Sequence, residues 1–533
     1  MGEQGAFLRL HRVGFEKRDP QERVKDYKQY FDLPSNDTLR DQGARCMDCG
    51  IPFCHEACPL GNKIPDWNDL VYRDHWRDAL TQLHATNDFP EFTGLICPAP
   101  CESACVLNIN DDPVTIEQIE LAIVTRGFEE GWIEAHPPER RTGRTVAVVG
   151  SGPAGMAAAS QLNRLGHEVT VYERDEAPGG LLRFGVPDAK LEKWIIDRRI
   201  ELLEKEGVVF ECNVDVGRDL PLRDLWRRHD ALVVAIGSRV PRPIEVPGAS
   251  LRGVHPAMDY LYGRNRWVAR QDEHNRWVAQ GEDRIARDTG EEISAAGKRV
   301  VVVGGGDTGM DCVSNAIREG AADVLLLDVY PELPASGRDA NTPWPLPPKR
   351  TRTTYALEEG GHREWAAQVT EIVGRDGRVV GVHGRRVEGT SSRDLRAVPG
   401  SEFDQEADLV LVAIGFSHPE HEGLIDALSL DLDGRGNVRA PVYATRTEAI
   451  FACGDARIGQ SLVVTAIAEG RKCARVVDRF LGGTGVARPV AAEAMFAFED
   501  GDPHSLRHQA ETAGTVTVGD AFWSGPRDEP VQE

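Results

Sequence analysis

The sequence predicts an α/β chain in which a cysteine-rich α-helical head precedes two nested Rossmann-like dinucleotide-binding domains. Three observations carry this expectation. Seven of the 11 cysteines fall between Cys46 and Cys105, and two complete strand, glycine turn, helix, strand fingerprints begin near residues 145 and 299. The third is a pair of related apolar segments, ALVVAIG at 231–237 and ADLVLVAIG at 407–415, one after each fingerprint.

Composition sets the frame. A length of 533 residues allows three or four domains, and 41% hydrophobic with 28% charged residues is ordinary globular composition. Lys plus Arg total 62 against 85 Asp plus Glu, a net charge of -23 whose field repels phosphate backbones and anionic lipid. No nucleic-acid or membrane partner is expected. No apolar run is long enough to span a bilayer and the first twenty residues carry no export signal, so the expected location is the cytoplasm.

In the head, Cys46, Cys49, Cys54 and Cys58 form a CxxCxxxxCxxxC run, and Cys97, Cys101 and Cys105 follow. Structural zinc usually takes two close CxxC pairs, and only one is present. Packed thiolates with Pro59 and Pro98 directly after cysteines instead match the ferredoxin manner of holding iron–sulfur clusters, where one run shares its ligands between two clusters. Seven thiolates are one short of the eight that two four-iron clusters need. Either one cluster is smaller or a non-cysteine ligand such as the nearby Glu120 completes the set. Apolar periodicity predicts a helix over residues 66–87, with Trp67, Leu70, Val71, Trp76, Leu80 and Leu83 near one packing face, and another over VTIEQIELAIVTRGFEEGWI. The breakers in residues 136–144 mark a domain boundary.

The first fingerprint, TVAVVGSGPAGMAAASQLNRLGHEVTVYERD, places Gly150 at the tight turn, Gly152 where backbone meets a pyrophosphate, and Gly155 where helix packs on strand. Pro153 and Ala154 open the helix, and Glu173 ends the second strand with a carboxylate suited to ribose hydroxyls. The second, KRVVVVGGGDTGMDCVSNAIREGAADVLLLD, repeats these roles with Gly304, Gly306 and Gly309, has Asp307 and Thr308 at the helix start, and ends on Asp328. Two such units predict two dinucleotides facing each other, the arrangement by which a flavin accepts hydride from a nicotinamide. Near the end, AIFACGDARIGQSLVVTAIAEGR resembles a flavin-closing motif with Gly454 and Asp455 at the ribityl chain, which selects FAD over a second nicotinamide. Asp328 disfavours a 2′-phosphate, and Val329 and Tyr330 stand where NADPH users place arginines, so the expectation leans to NADH over NADPH; Arg338, Lys349 and Arg350 in the following loop are the basic residues able to reverse it. The repeat NRWVAR (265–270) and NRWVAQ (275–280) reads as a local duplication on a surface helix, and residues 482–533 as an appended tail.

The strings CMDCGIPFCHEACPLGNKIPDWNDLVY, FPEFTGLICPAPCESAC, GGLLRFGVPDAKL, GGGDTGMDC and GQSLVVTAIAEGR closely resemble the small (beta) subunits of bacterial glutamate synthase, over roughly residues 7–481, within a wider group that includes the flavin half of dihydropyrimidine dehydrogenase. The resemblance implies an iron–sulfur domain at 1–140, a discontinuous FAD domain at 144–253 and 413–481, and an inserted NAD(P)H domain at 254–412. It implies one [4Fe-4S] cluster on Cys46, Cys49, Cys54 and Cys105, another on Cys58, Cys97, Cys101 and Glu120, and flavin contacts at Gly180 and Leu181. It also implies that NAD(P)H reduces FAD and that electrons pass through the clusters to a large FMN-bearing (alpha) subunit, which makes two glutamates from glutamine and 2-oxoglutarate. A differently partnered or stand-alone FAD/iron–sulfur NAD(P)H oxidoreductase is the alternative. The first cysteine is Cys46, so an N-terminal cysteine nucleophile for glutamine chemistry is expected on the partner. Hydride transfer between cofactors needs no protein acid or base, and no conventional catalytic residue is expected.

Overall fold

The computed structural model describes residues 2–271, 277, 293–338, 342–351, 354–389 and 394–483. The second copy of the duplicated hexapeptide, apart from Trp277, and the tail beyond Gly483 lie outside the described residues.

The head is helical. The stretch expected as one helix is two, Ile64–Tyr72 and Trp76–Thr86. Asp74 between them takes a left-handed φ of 66°, held there as its carboxylate accepts the Trp76 indole N–H at 2.7 Å. The packing face is nonetheless as the periodicity has it, with Trp67, Val71, Trp76, Leu80 and Leu83 buried. Helices Pro90–Ile96 and Ile116–Glu129 touch through Gly94, where an added Cβ would lie 2.8 Å from that of Leu121.

Two five-stranded parallel sheets follow. The first orders Ile450–Ala452, Ala231–Val234, Thr145–Val149, Glu168–Tyr172 and Val209–Glu211; the second orders His362–Glu364, Asp323–Leu327, Arg299–Val303, Leu409–Val412 and Val254–Pro256. Their central strands are continuous valine, alanine and leucine runs because both faces are covered. A three-stranded antiparallel sheet, Ala367–Arg375, Arg378–Glu388 and Arg396–Glu406, packs beside the second.

The two apolar segments connect the sheets. Each passes under the first glycine of a fingerprint: an added Cβ would stand 2.4 Å from the Ala235 carbonyl at Gly150 and 2.3 Å from the Ala413 carbonyl at Gly304. Both glycines also adopt positive φ, 103° and 118°, so no other residue fits. Beyond these points the two segments form a short antiparallel ribbon, with Val240 N–H donating to His418 O and Arg242 N–H to Gly415 O.

Packing crosses the linker at 136–144. Phe89, Phe92, Leu95, Leu121 and Val124 of the head belong to the same apolar core as the first sheet. Two buried charge groups reinforce it: Glu91 accepts from Arg199 Nε and Nη2 at 2.5 and 2.9 Å, and Asp88 pairs with Arg164 and Arg471 at 2.8 and 2.7 Å. The head also reaches the second sheet's domain, where fully buried Arg23 bonds Glu359 at 2.7 Å and Tyr30 stacks on Tyr355 at 4.6 Å. The helix Ala257–Gln271, which carries the first hexapeptide copy, is not the surface helix expected: Arg264, Asn265 and Arg266 are buried. Arg266 pairs with Glu176, Asn265 donates to Phe184 O and Arg264 pairs with Glu319, so the polar residues of the repeat serve domain contacts that periodicity does not reveal. Among the described residues no helix is long and apolar enough to cross a membrane.

Removing one partner of a buried ion pair leaves the other unpaired at a cost of about 3–5 kcal/mol. Glu91→Ala should therefore lower the urea midpoint clearly, whereas the apolar double variant Glu91→Met/Arg199→Met should recover much of the loss; equilibrium unfolding of all three proteins measures this.

Candidate functional site

A cavity of about 350 Å³ opens at the carboxyl ends of the first sheet's strands, between it and the second fingerprint. Its walls include the expected Gly150, Gly152, Pro153, Ala154, Glu173, Gly180, Leu181 and Asp455, together with Asp307 and Thr308 of the second fingerprint. Gly155 and Gly454 lie behind this wall as spacers: an added Cβ would be 1.9 Å from the Gly150 carbonyl at Gly155, and 2.6 Å from the Ala154 Cβ at Gly454. Gly304, Gly306, Gly309 and Asp328 are not on this cavity but form a second turn with the same stereochemistry, in which a Cβ on Gly309 would stand 2.0 Å from Gly304 O.

The cavity has the features a dinucleotide needs. A Cβ on Gly152 would meet nothing within 4 Å, so the bare backbone at the start of helix Pro153–Arg164 faces open space, where free N–H groups and the helix dipole favour a pyrophosphate. Glu173 is buried, accepting from the backbone N–H and hydroxyl of Ser151 while its other oxygen accepts from Asp175 N–H. Burial, then the neighbouring Asp175, pushes its carboxyl up. Burial also raises Asp455 from 3.8 to about 6 against the Ser461 hydroxyl, which donates to it at 2.6 Å. Helix Val463–Phe480 begins at the cavity and approaches helix Pro153–Arg164 through Gly470, where a Cβ would lie 2.1 Å from Ala154 O.

Sequence reasoning missed Lys190 and Asp311. Their side chains meet at 2.9 Å across the cavity's domain boundary, and Tyr355 donates to the same Asp311 oxygen at 3.2 Å. Burial opposes the Lys190 ammonium, but Asp311 and Asp307 hold its pKa above the ordinary lysine value. Lys190 follows the flavin fingerprint by a loop, so only folding places it opposite Asp311. The basic loop residue Arg338 donates to Leu346 O and, in the head, to Ser103 O.

The head closes the cavity: Ile96 and Pro98, on either side of Cys97, line it. All seven head cysteines have thiols pushed above their ordinary pKa by burial, Cys46 and Cys58 to about 11. Their mutual repulsions divide them. Cys46, Cys49, Cys54 and Cys105 interact with one another, and Cys58, Cys97 and Cys101 interact with one another and with Glu120. Burial raises the Glu120 carboxyl to about 7, and one of its oxygens accepts from Asn87 at 2.7 Å and Thr93 at 2.6 Å. Among the described residues no group of three or more His, Cys, Asp or Glu is placed to hold a metal ion.

This geometry agrees with comparisons to known proteins. Residues 144–470 match the pyridine nucleotide-disulphide oxidoreductase family, and residues 23–132 match the dihydropyrimidine dehydrogenase domain II family, described as holding a 4Fe-4S cluster. A glutamate synthase (NADPH) small chain of Mycobacterium tuberculosis is 47% identical over 92% of this chain and 99% of its own length. The chain belongs to the glutamate synthase small-chain family. The Bacillus subtilis small chain is 41% identical over 91% of this chain and all of its own length. A glutamate synthase (NADH) of Schizosaccharomyces pombe is 43% identical over 90% of this chain, which corresponds to 23% of that longer protein. The chain is thus an oxidoreductase of the pyridine nucleotide class with a 4Fe-4S domain.

The raised Asp455 pKa has a defined sign. The unfolded chain loses this proton near 3.8 and the folded chain near 6, so stability is fullest below 3.8 and falls as pH rises through the interval, by up to about 3 kcal/mol. In the flavin-free chain Asp455→Asn should flatten the fall between about pH 4 and pH 6, as urea unfolding at a series of pH values checks.

Proposed function

We propose that this chain is the electron-input subunit of a glutamate synthase. Bound FAD would supply hydride acceptance from NAD(P)H, and two [4Fe-4S] clusters would supply one-electron transfer toward a large FMN subunit that makes L-glutamate from L-glutamine and 2-oxoglutarate. One observation carries this reading: the segment Ile96–Pro98 is both a wall of the cavity and the site of Cys97, so a cluster ligand stands directly beside the space for flavin.

The residues divide the work. The turn Gly150–Ala154 and the acid Glu173 would hold the pyrophosphate and adenosine ribose, Gly180 and Leu181 the flavin flank, and Asp455 the ribityl chain. Gly304, Gly306, Asp307, Thr308, Gly309 and Asp328 would hold the nicotinamide dinucleotide so that it enters from the second sheet. Cys58, Cys97, Cys101 and Glu120 would hold the inner cluster, and Cys46, Cys49, Cys54 and Cys105 the outer. The exposed apolar side chains Met47, Ile51 and Ile109 adjoin the outer set in sequence, which favours that face for docking the large subunit. Hydride transfer itself asks only for stacking and orientation, so the chain's contribution is positional.

Anaerobically purified chain should contain one FAD and about eight iron per polypeptide, with matching acid-labile sulfide. Cys97→Ser should still reduce artificial acceptors with NAD(P)H, lose one cluster signal by electron paramagnetic resonance, and support no glutamate formation with the large subunit. Glutamate made by the unpartnered chain, or zinc in place of iron, would overturn the reading.

A further inference from the structure

The two fingerprints treat their terminal acids differently. In the first, the residue between the glycines is Ser151, whose hydroxyl and backbone N–H both donate to Glu173. In the second that residue is Gly305, and a Cβ there would lie 2.0 Å from Asp328 Oδ2 and 2.6 Å from Arg363 Nη2. The space a side chain would fill is taken by an ion pair: Arg363 donates to Asp328 Oδ2 and, at 3.3 Å, to Gly305 O. Tyr330 N–H satisfies the other Asp328 oxygen at 3.0 Å.

Three features hold Arg363 in place. Its strand, His362–Glu364, pairs in parallel with Asp323–Leu327 and puts Arg363 opposite Leu326. Asp328 then extends the ladder through its backbone, donating to Glu364 O at 2.8 Å and accepting from Ala367 N–H at 2.9 Å. Last, the guanidinium carbon Cζ lies over the Trp365 ring, 3.4 Å from its centroid. Both of its hydrogen bonds among the described residues leave from Nη2, so the five-donor guanidinium is not exhausted by Asp328 and Gly305.

We propose that Arg363 sets which nicotinamide dinucleotide the chain accepts, by supplying the counter-charge that lets a site ending in Asp328 take a 2′-phosphate. This rests on the reading that the second turn holds NAD(P)H. A lone carboxylate at this position accepts a ribose 2′-hydroxyl and repels a phosphate. Paired with Arg363 it is electrically neutral, and a planar guanidinium backed by an indole suits phosphate oxygens. The NADH lean drawn from Asp328, Val329 and Tyr330 treats the acid as bare; paired with Arg363, the same site admits NADPH as a substrate. Arg338, the basic residue of the following loop, donates instead to Leu346 O and, in the head, to Ser103 O.

The test compares kcat/KM for NADPH and NADH with an artificial acceptor, and Kd for NADP⁺ and NAD⁺ from the perturbed flavin absorption of the oxidised holoprotein. Arg363→Ala should move the NADPH to NADH ratio toward NADH by about tenfold or more, because it bares Asp328 to the phosphate. Arg363→Lys should recover part of the shift, and Asp328→Asn should move the ratio the other way. The same direction must appear in the Kd ratio, which a general loss of folding or flavin would not bias. An unchanged ratio in Arg363→Ala, in a wild-type background that oxidises either nucleotide, would overturn the proposal. A wild-type holoprotein whose flavin neither nucleotide reduces or perturbs would instead overturn the reading beneath it.

Discussion

The Glu91–Arg199 ion pair and the adjoining Asp88 group hold the head against the first sheet, and the rest of the arrangement depends on that grip. Electron transfer falls off steeply with distance, so a cysteine set is useful to a flavin only where the two are pressed together. Burying charges at such a seam is costly unless each finds a partner. Burial opposes the Asp88 carboxylate, but Arg471 and Arg164 hold its pKa below the ordinary value. The reward is orientation: apolar contacts among Phe89, Phe92 and Leu95 permit sliding, whereas a two-point carboxylate–guanidinium contact admits one geometry and fixes Ile96, Cys97 and Pro98 against the cavity.

The second feature is a repeated design used unequally. Gly150 and Gly304 are forced to be glycine by the same crossing carbonyls, and Gly155 and Gly309 by the same close approach of helix to turn. What varies is the chemistry around those frames. Ser151 satisfies Glu173 with a neutral donor, while Arg363 satisfies Asp328 with a charge brought from a neighbouring strand. Between the two frames stand Lys190 and Asp311, one from each domain, and Tyr355 joins them to the segment of the head that carries Tyr30. Three parts of the chain thus share one polar seam at the place where two cofactors would meet.

Much of the site was legible before folding. Glycines at a tight turn, the acid ending the second strand and thiols in a close run are local patterns whose meaning comes from backbone geometry and donor chemistry. Gly150, Gly152 and Glu173 were expected on that ground and line the cavity, while Gly304 and Asp328, expected likewise, belong to the second turn outside it. The split of the helix at Asp74 was not, because a left-handed residue in an otherwise periodic stretch leaves no signature in apolar spacing. The duplicated hexapeptide misled for a related reason: arginine and asparagine on a helix read as solvent-facing, yet Arg264, Asn265 and Arg266 are buried against carboxylates and a carbonyl from distant segments.

The sequence by itself determined the family, through strings that resemble its members, and the order of the parts, the two glycine-turn frames and the residue types able to hold iron–sulfur clusters, because these last follow from short-range spacing. Only the tertiary structure decided which head residues line the cavity and which cation faces each acid. Those relations join residues as far apart as Asp328 and Arg363 or Glu91 and Arg199. Charge pairing and burial act through space, and no pattern along the chain records which distant partner a buried side chain will find.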